Sequence, residues 1–184
     1  MARLYLVRHG QPLARYDQDH DPGLDDAGRA QAGAAAAELA SLGPLAVVTS
    51  PLRRTRETAA PFERQWNVTA SVEPAVGEVK SPTDDLAERS AWLGAILRGE
   101  RRWSELDSER QRWRDGVVGA LLSLDDDTVV VTHYIAINAA VGAATGDDRV
   151  MNFRPDNCSC TMLDTDGHRL TLVELGRERE TVVR

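Results

Sequence analysis

The chain lacks any long apolar run. Its apolar stretches fall well short of the ~18 consecutive residues that a membrane-spanning helix needs. The N-terminal stretch MARLYLVRHG contains too short an apolar run for a secretory signal peptide. We therefore expect a cytoplasmic protein with no membrane partner.

Cysteine is also scarce. The two cysteines, Cys158 and Cys160, are separated by one residue. A disulfide framework requires more cysteines than this, and no second Cys pair exists to complete a zinc site. The count favours two reduced thiols in a cytosolic protein.

Positive charge is in deficit. Lys and Arg number 22 against 29 Asp and Glu, which gives a net charge of -7 at pH 7. Nucleic-acid binders usually carry a basic balance, so we expect no nucleic-acid partner. An acidic protein that handles anionic substrates must concentrate its positive charge locally, which directs attention to clustered arginines.

Short strand patterns alternate with helix patterns, and 184 residues suit one domain. The strand patterns cover Leu4–Val7, Leu45–Thr49, Val68–Val72 and Val129–Val131. Strands that alternate with helices predict an α/β fold with a mainly parallel central sheet.

Local signals predict where several elements begin or turn. Asp25 can cap the helix that follows it, and Ser50 followed by Pro51 is typical of a helix N-cap and first helical position. Asp166-Gly167 lies between two apolar runs, which predicts a β-hairpin turn.

Polar side chains follow each of the first four predicted strands. They are Arg8 with His9, the segment from Ser50 to Arg56, Glu78, and His133. In open α/β sheets, ligands bind in the crevice at the carboxyl ends of the strands. We therefore expect these residues to share one crevice.

These residue types suit phosphoryl transfer. The transferred group carries negative charge on its equatorial oxygens, so its site needs fixed positive charge and hydrogen-bond donors. Arginine pairs with two oxygens at once, and a neutral imidazole can attack phosphorus. A protonated carboxylic acid can deliver a proton to the leaving oxygen.

The motifs resemble those of the histidine phosphatase superfamily, which includes phosphoglycerate mutases and many small phosphatases. Six segments match in family order, from residue 2 to about residue 163, so the resemblance covers most of the chain. They are LYLVRHGQ, LDDAGRAQA, VVTSPLRRTRETA, VGEVKSP, VVVTHYIAIN and DNCSCTML. The resemblance implies a three-layer αβα fold of the phosphoglycerate mutase type.

The resemblance also implies a role for each motif residue. His9 would be the nucleophile that forms a phosphohistidine, and Glu78 would be the general acid that later activates water. Arg8, Arg54 and His133 would bind the phosphate, with His133 counted among the catalytic residues. The implied reaction needs no metal and no cofactor.

The sequence departs from the family pattern near two of these residues. The family often has an Asn that contacts phosphate a few positions after R-H-G-Q, and Arg15 stands in that region. Arg15 is therefore either a further phosphate ligand or a solvated side chain. Tyr134 follows the second histidine, where the family often has Gly, and should narrow the crevice. Glu73 remains an alternative to Glu78 as the acid.

The resemblance implies a single domain over residues 1–184 with a helical cap insertion at about residues 80–124. The expected substrate is a small phosphate monoester, hydrolysed through the phosphohistidine. The end of the chain, RERETVVR, is short for the closing tail of a mutase, which favours hydrolysis. A mutase-like phosphotransferase, a phosphohistidine or phosphoprotein phosphatase, and a non-catalytic member that binds phosphorylated ligands remain alternatives. The oligomeric state stays open.

Overall fold

The computed structural model describes residues 1–14, 18–98 and 101–179, except for the side chains of residues 97 and 98. Within these residues lie six strands and five α-helices. The strands are β1 Ala2–Arg8, β2 Ala46–Thr49, β3 Ser71–Val72, β4 Thr128–Thr132, β5 Cys160–Thr165 and β6 Leu170–Glu174. The helices are α1 Asp26–Glu38, α2 Arg53–Trp66, α3 Leu86–Arg98, α4 Ser108–Leu122 and α5 Tyr134–Thr145.

The strands form one sheet in the order β3-β2-β4-β1-β5-β6. β1, β2, β3 and β4 run parallel to one another, whereas β5 pairs antiparallel with β1 and β6. The predicted α/β class with a mainly parallel sheet is confirmed. The hairpin predicted at Asp166-Gly167 is also confirmed, since that pair joins β5 to β6.

The alternation along β1 separates two helical layers. Tyr5 and Val7 point to the face that packs against α1 and α2, where Phe62 is fully buried. Leu4 and Leu6 point to the opposite face, which packs against α4 and α5. Successive strand residues face opposite sides of a sheet, so a fully apolar strand serves both layers and is covered on both faces. The predicted three-layer arrangement follows from this.

Two residues were predicted to cap helices, and the structure confirms only one of them. Asp25 caps α1 as expected, because its Oδ1 accepts a hydrogen bond from the Gly28 N–H at 2.7 Å. The prediction that Ser50 caps α2 is wrong. Ser50 continues the parallel ladder through its N–H to the Val131 carbonyl at 3.2 Å. α2 begins three residues later, after an extended Leu52.

The third strand is shorter than predicted. β3 contains only Ser71 and Val72, both of them exposed at the edge of the sheet. The residues before it are used to end α2 instead. Asn67 adopts a left-handed conformation, and the N–H of Val68 donates to the Glu63 carbonyl at 3.1 Å. The Ala70 N–H donates to the Glu63 carboxylate at 2.8 Å.

Two glycines allow a close backbone contact beside the end of β1. A Cβ atom on Gly10 would lie 2.6 Å from the Gly28 carbonyl oxygen, and one on Gly28 would lie 2.2 Å from the Gln11 carbonyl oxygen. Neither position accepts a larger side chain without displacement of the backbone. The start of α1 therefore packs directly on the loop that follows His9.

The segment between β3 and β4 contributes to two parts of the structure. α4 places Val117 and Leu121 in the core beside β1 and β4. α3 lies further out, and Leu93 of this helix borders the crevice at the end of the sheet. Among the described residues, no helix has both the length and the apolar character required to cross a membrane.

Core packing on the α2 face gives a stability prediction. Phe62 is 0% exposed, whereas Leu42 is 44% exposed. We expect Phe62→Ala to lower the free energy of unfolding by about 3–5 kcal/mol, because it removes buried area and leaves a cavity. Leu42→Ala should change it by less than about 1 kcal/mol. Urea denaturation of both variants measures this difference, and equal losses would contradict the packing described.

Candidate active site

The predicted residues meet at one crevice beyond the carboxyl ends of β1 and β4. A cavity of about 380 Å³ is lined by Arg8, His9, Arg54 and Glu78. His133 is 0% exposed and lies behind this lining, with its ring centroid 5.3 Å from that of His9. Five of the six residues expected from the sequence therefore lie together. Arg15 lies outside the described residues.

The orientation of the His9 ring is set by the backbone. Its Nδ1 lies 2.8 Å from the carbonyl oxygen of Gly10. A carbonyl oxygen only accepts, so Nδ1 carries the proton and Nε2 holds the lone pair. The main chain of His9 is held on both sides, because its N–H donates to Thr132 at 3.0 Å and its carbonyl accepts from Asn157 Nδ2 at 2.8 Å.

His133 has the opposite tautomer. The Arg54 guanidinium donates from Nη2 to His133 Nδ1 over 3.3 Å, so Nδ1 is the acceptor. Nε2 then carries the proton and donates to Ser50 Oγ at 2.8 Å. The Ser50 hydroxyl in turn faces Thr55 Oγ1 at 2.7 Å, and Thr55 donates to the Leu52 carbonyl at 2.7 Å. This chain of hydroxyls fixes both the ring and its protonation.

The guanidinium groups of Arg8 and Arg54 bring positive charge to the part of the cavity beside the histidines. Arg54 is only 4% exposed, whereas its neighbour Arg53 points outward and pairs with Glu57 at 2.7 Å. Arg8 donates from Nη1 to the Pro155 carbonyl at 2.9 Å. The Nε of Arg8 is buried and has no hydrogen-bond partner among the described residues. A buried N–H without an acceptor favours the binding of an anion that can accept a hydrogen bond from it.

The carboxylate nearest to the histidines belongs to Glu78. Its side chain is 9% exposed, and Oε2 lies 3.7 Å from His133 Nδ1. The 3₁₀ turn Pro74–Val76 brings it there, because the Val76 carbonyl accepts from Thr132 Oγ1 at the end of β4 at 2.6 Å. Glu73, the alternative acid, instead caps this turn through a hydrogen bond from the Ala75 N–H at 2.9 Å. Its side chain is not part of the cavity lining described.

Burial and charge favour the protonation states that phosphoryl transfer needs. Burial, helped by Arg54 and Arg8, holds the pKa of His9 well below its usual range. Burial and Arg54 do the same for the pKa of His133. Burial raises the pKa of Glu78, against the opposing effect of Arg54. The site therefore combines neutral imidazoles with a carboxyl group that retains its proton to higher pH than an exposed glutamate.

Several lining or supporting residues were not assigned from the sequence. Ser50 orients His133, and Asn157 holds the His9 carbonyl. Tyr134 narrows the cavity as expected, and its ring also packs beneath the Arg8 guanidinium at 5.0 Å. Arg154 and Arg179 complete the outer wall. The motif segments gave a local signal for Ser50, Tyr134 and Asn157, whereas Arg154 and Arg179 depend on long-range pairing.

No group of three or more His, Cys, Asp or Glu side chains with the spacing of a metal site occurs in the described part of the chain. The charge at the crevice is carried by arginines instead.

Curated relatives carry both mutase and phosphatase names. A probable phosphoglycerate mutase, GpmB, of Erwinia tasmaniensis is 27% identical over 89% of this chain and 85% of its own. Phosphoserine phosphatase 1 of Hydrogenobacter thermophilus is 26% identical over 95% of this chain and 92% of its own. Longer mycobacterial proteins match at 42% identity, and the chain spans 41% of their length.

A comparison with solved structures identifies the fold. The phosphoserine phosphatase of Entamoeba histolytica, solved in complex with 3-phosphoglyceric acid, superposes with a TM-score of 0.74 at 19% identity. The match covers 97% of this chain and 98% of that one, which confirms the phosphoglycerate mutase-like fold. The family model of the histidine phosphatase superfamily (branch 1) matches residues 4–178, a span that includes all five α-helices, β2 to β6 and all but the first two residues of β1. The chain therefore belongs to the histidine phosphatase superfamily.

Proposed function

We propose that this protein is a metal-independent phosphatase that hydrolyses a small phosphate monoester through a phosphohistidine at His9. The observation that carries the proposal is the state of His9. Its Nδ1 proton is engaged by Gly10, its pKa is held low, and it lines a cavity beside two arginines. A neutral imidazole with its second nitrogen available is the nucleophile this reaction requires.

Arg8 and Arg54 bind the phosphoryl group in this proposal. Both guanidinium groups line the cavity, and the unpartnered Nε of Arg8 offers a donor to an oxygen of the phosphate. His133 is the third proposed phosphate-binding residue. It lies behind the cavity lining, and its Nδ1 faces both Arg54 Nη2 and Glu78 Oε2. Arg15 remains a proposed further ligand.

In the first step, His9 Nε2 attacks phosphorus and forms an N–P bond while the bond to the leaving oxygen breaks. Protonated Glu78 gives its proton to that oxygen, so an alcohol departs. In the second step, the Glu78 carboxylate takes a proton from water, and the resulting hydroxide attacks phosphorus. The N–P bond breaks, inorganic phosphate leaves, and His9 regains its lone pair.

We further propose that the protein is one domain in which the segment at about residues 80–124 caps the active site. Leu93 of α3 supports this proposal because it lines the cavity. The contribution of α4 is different, since Val117 and Leu121 belong to the core beneath the sheet. The part of the cap that selects the alcohol of the substrate is therefore assigned to α3 and its flanking turns.

A phosphoglycerate mutase-like phosphotransferase is the second candidate, favoured by the name of the Erwinia relative. A mutase must keep water away from its phosphoenzyme long enough for the substrate to re-enter. Both candidates use His9, and they differ only in the acceptor of its phosphoryl group.

The first prediction concerns the nucleophile. His9→Ala should lower kcat by about a thousandfold or more, because no other lone pair can replace Nε2 in the attack. A quenched reaction of the parent protein with labelled substrate should contain an acid-labile, base-stable phosphoprotein. Both assays are run in EDTA, since the proposed reaction uses no metal.

His168→Gln is the matched control, because His168 is exposed at the β5–β6 turn. It should keep parent activity and parent labelling. Full turnover by His9→Ala would exclude the proposed mechanism, and a parent protein that binds phosphate esters without turnover would indicate a non-catalytic member.

The second prediction concerns the acid. Glu78→Gln should slow an alkyl phosphate by about a hundredfold and p-nitrophenyl phosphate by less than about tenfold, because nitrophenolate leaves without a proton. In the parent, hydrolysis of the alkyl ester should fall as pH rises through the raised pKa of Glu78, since the proton donor is then lost. On the acidic side of the pH–rate profile, the rate should fall only at a pH below the ordinary pKa range of histidine, because the pKa of His9 is lowered.

Glu73→Gln is the control for the acid, since Glu73 caps a turn outside the cavity. It should retain the parent preference between the two leaving groups. If Glu78→Gln slowed both esters equally, Glu78 would only position the substrate.

The third prediction separates hydrolase from mutase. With 3-phosphoglycerate, we expect inorganic phosphate to form with no accumulation of 2-phosphoglycerate, because the proposed second step transfers the phosphoryl group to water. NMR of ³¹P resolves the three species in one sample. Isomer formation well above phosphate release would assign the mutase reaction instead.

A further inference from the structure

Two arginines outside the proposed phosphate site line the same cavity. Arg154 lies in the loop before β5, and Arg179 follows β6. Neither has a role in the phosphoryl-transfer steps derived above. Because they line the same cavity as Arg8 and Arg54, the remainder of a phosphate ester bound there would share that cavity with them.

The backbone holds these two arginines side by side. The N–H of Arg179 donates to the carbonyl of Arg154 at 2.9 Å, and Pro155 forms an antiparallel bridge with Glu178. The N–H of Asp156 donates to the carbonyl of Arg177 at 2.8 Å. These bonds make a short two-stranded connection, so the two side chains start from fixed neighbouring positions.

The same connection touches the phosphate-binding residues. The Pro155 carbonyl accepts the hydrogen bond from Arg8 Nη1 at 2.9 Å. Burial raises the pKa of the Tyr134 hydroxyl, whereas the charges of Arg8, Arg154 and Arg179 act to lower it. The charge of Glu178 acts in the opposite direction and raises this pKa. The Tyr134 hydroxyl is therefore within electrostatic range of three guanidinium groups and one carboxylate.

The two outer arginines lack acidic partners. Within the described residues, no ion pair involves the side chain of Arg154 or Arg179, whereas Arg177 pairs with Glu38 at 3.6 Å. Glu178 lies close, but its carboxylate accepts from the backbone N–H of Arg154 at 2.9 Å. Among the described residues, the carboxylates that line the cavity are those of Asp19 and Glu78.

The charge balance of the cavity points to a second anion. A phosphate monoester dianion is matched by Arg8 and Arg54. Among the lining residues that the structure describes, Arg154 and Arg179 then remain, opposed only by Asp19 once Glu78 is protonated. Planar guanidinium groups bind carboxylate and phosphate oxygens in pairs, and binding energy at such a remote group can orient the reacting ester.

We propose that Arg154 and Arg179 form a second anion subsite, so that the preferred substrates are phosphate monoesters carrying a second anionic group. This proposal rests on the phosphatase function proposed above. A carboxylate and a second phosphate share the chemistry that the subsite recognises, and two matched substrate pairs distinguish them.

The test compares kcat/KM within each pair at low ionic strength. 3-Phosphoglycerate and glycerol 3-phosphate differ by a carboxylate in place of a hydroxymethyl group. Fructose 1,6-bisphosphate and fructose 6-phosphate differ by a second phosphate. We expect the parent protein to prefer the doubly anionic member of at least one pair by about tenfold, as for partly exposed charge-assisted contacts. The double variant Arg154→Gln, Arg179→Gln should reduce that ratio towards one.

Arg177→Gln is the matched control, because Arg177 lies in the same connection but pairs with Glu38 on the surface. It should keep the parent ratio. Both members of a pair are measured on one preparation, so any unfolded fraction cancels in the ratio. A parent ratio near one in both pairs, or a parent ratio retained by the double variant, would overturn the subsite. Hydrolysis that no longer requires His9 would overturn the proposed function instead.

Discussion

The site depends on keeping two buried imidazoles neutral beside two guanidinium groups. Removal from water disfavours the charged form of His9 and His133, and the charge of Arg54 adds to this effect. An anion-binding site needs such cations, while a nitrogen nucleophile needs a lone pair. In the proposed mechanism, placing both in one buried crevice satisfies the two requirements together, because each arginine that would attract phosphate also opposes protonation of the histidines. The same burial raises the pKa of Glu78, so this carboxyl group keeps its proton to a higher pH than an exposed glutamate.

Hydrogen bonds to neighbouring groups determine which nitrogen of each histidine carries the proton. Gly10 supplies the carbonyl that holds the Nδ1 proton of His9, and it can do so only because Gly28 leaves room for the loop against α1. On the other ring, Arg54 and Ser50 select the tautomer from opposite sides. The two histidines therefore carry their lone pairs on different ring nitrogens without any change in side-chain type. This difference would allow one to attack phosphorus while the other orients the charged groups around it.

The motif positions of the crevice were accessible from the sequence. Arg8, His9 and His133 directly follow apolar strands, and parallel strands end at the same edge of a sheet. Glu78 needed a further element, the turn at Pro74–Val76, whose contact with Thr132 brings it beside His133. Ser50 followed by Pro51 predicted a helix cap, because this pair fits that role locally. Its hydroxyl is instead engaged by a histidine 83 residues away.

Periodicity and strand-end residues thus determined the α/β class, the three layers and the edge at which the chemistry gathers, since these follow from local patterns and simple sheet geometry. Tertiary structure alone decided the tautomers, the shifted pKa values and the outer wall of the cavity. Arg154 and Arg179 illustrate the reason. They meet only because the chain returns after β6 and pairs beside Pro155, a contact that no spacing in the sequence encodes. Properties that depend on distances between such remote segments arise only when the sheet is assembled.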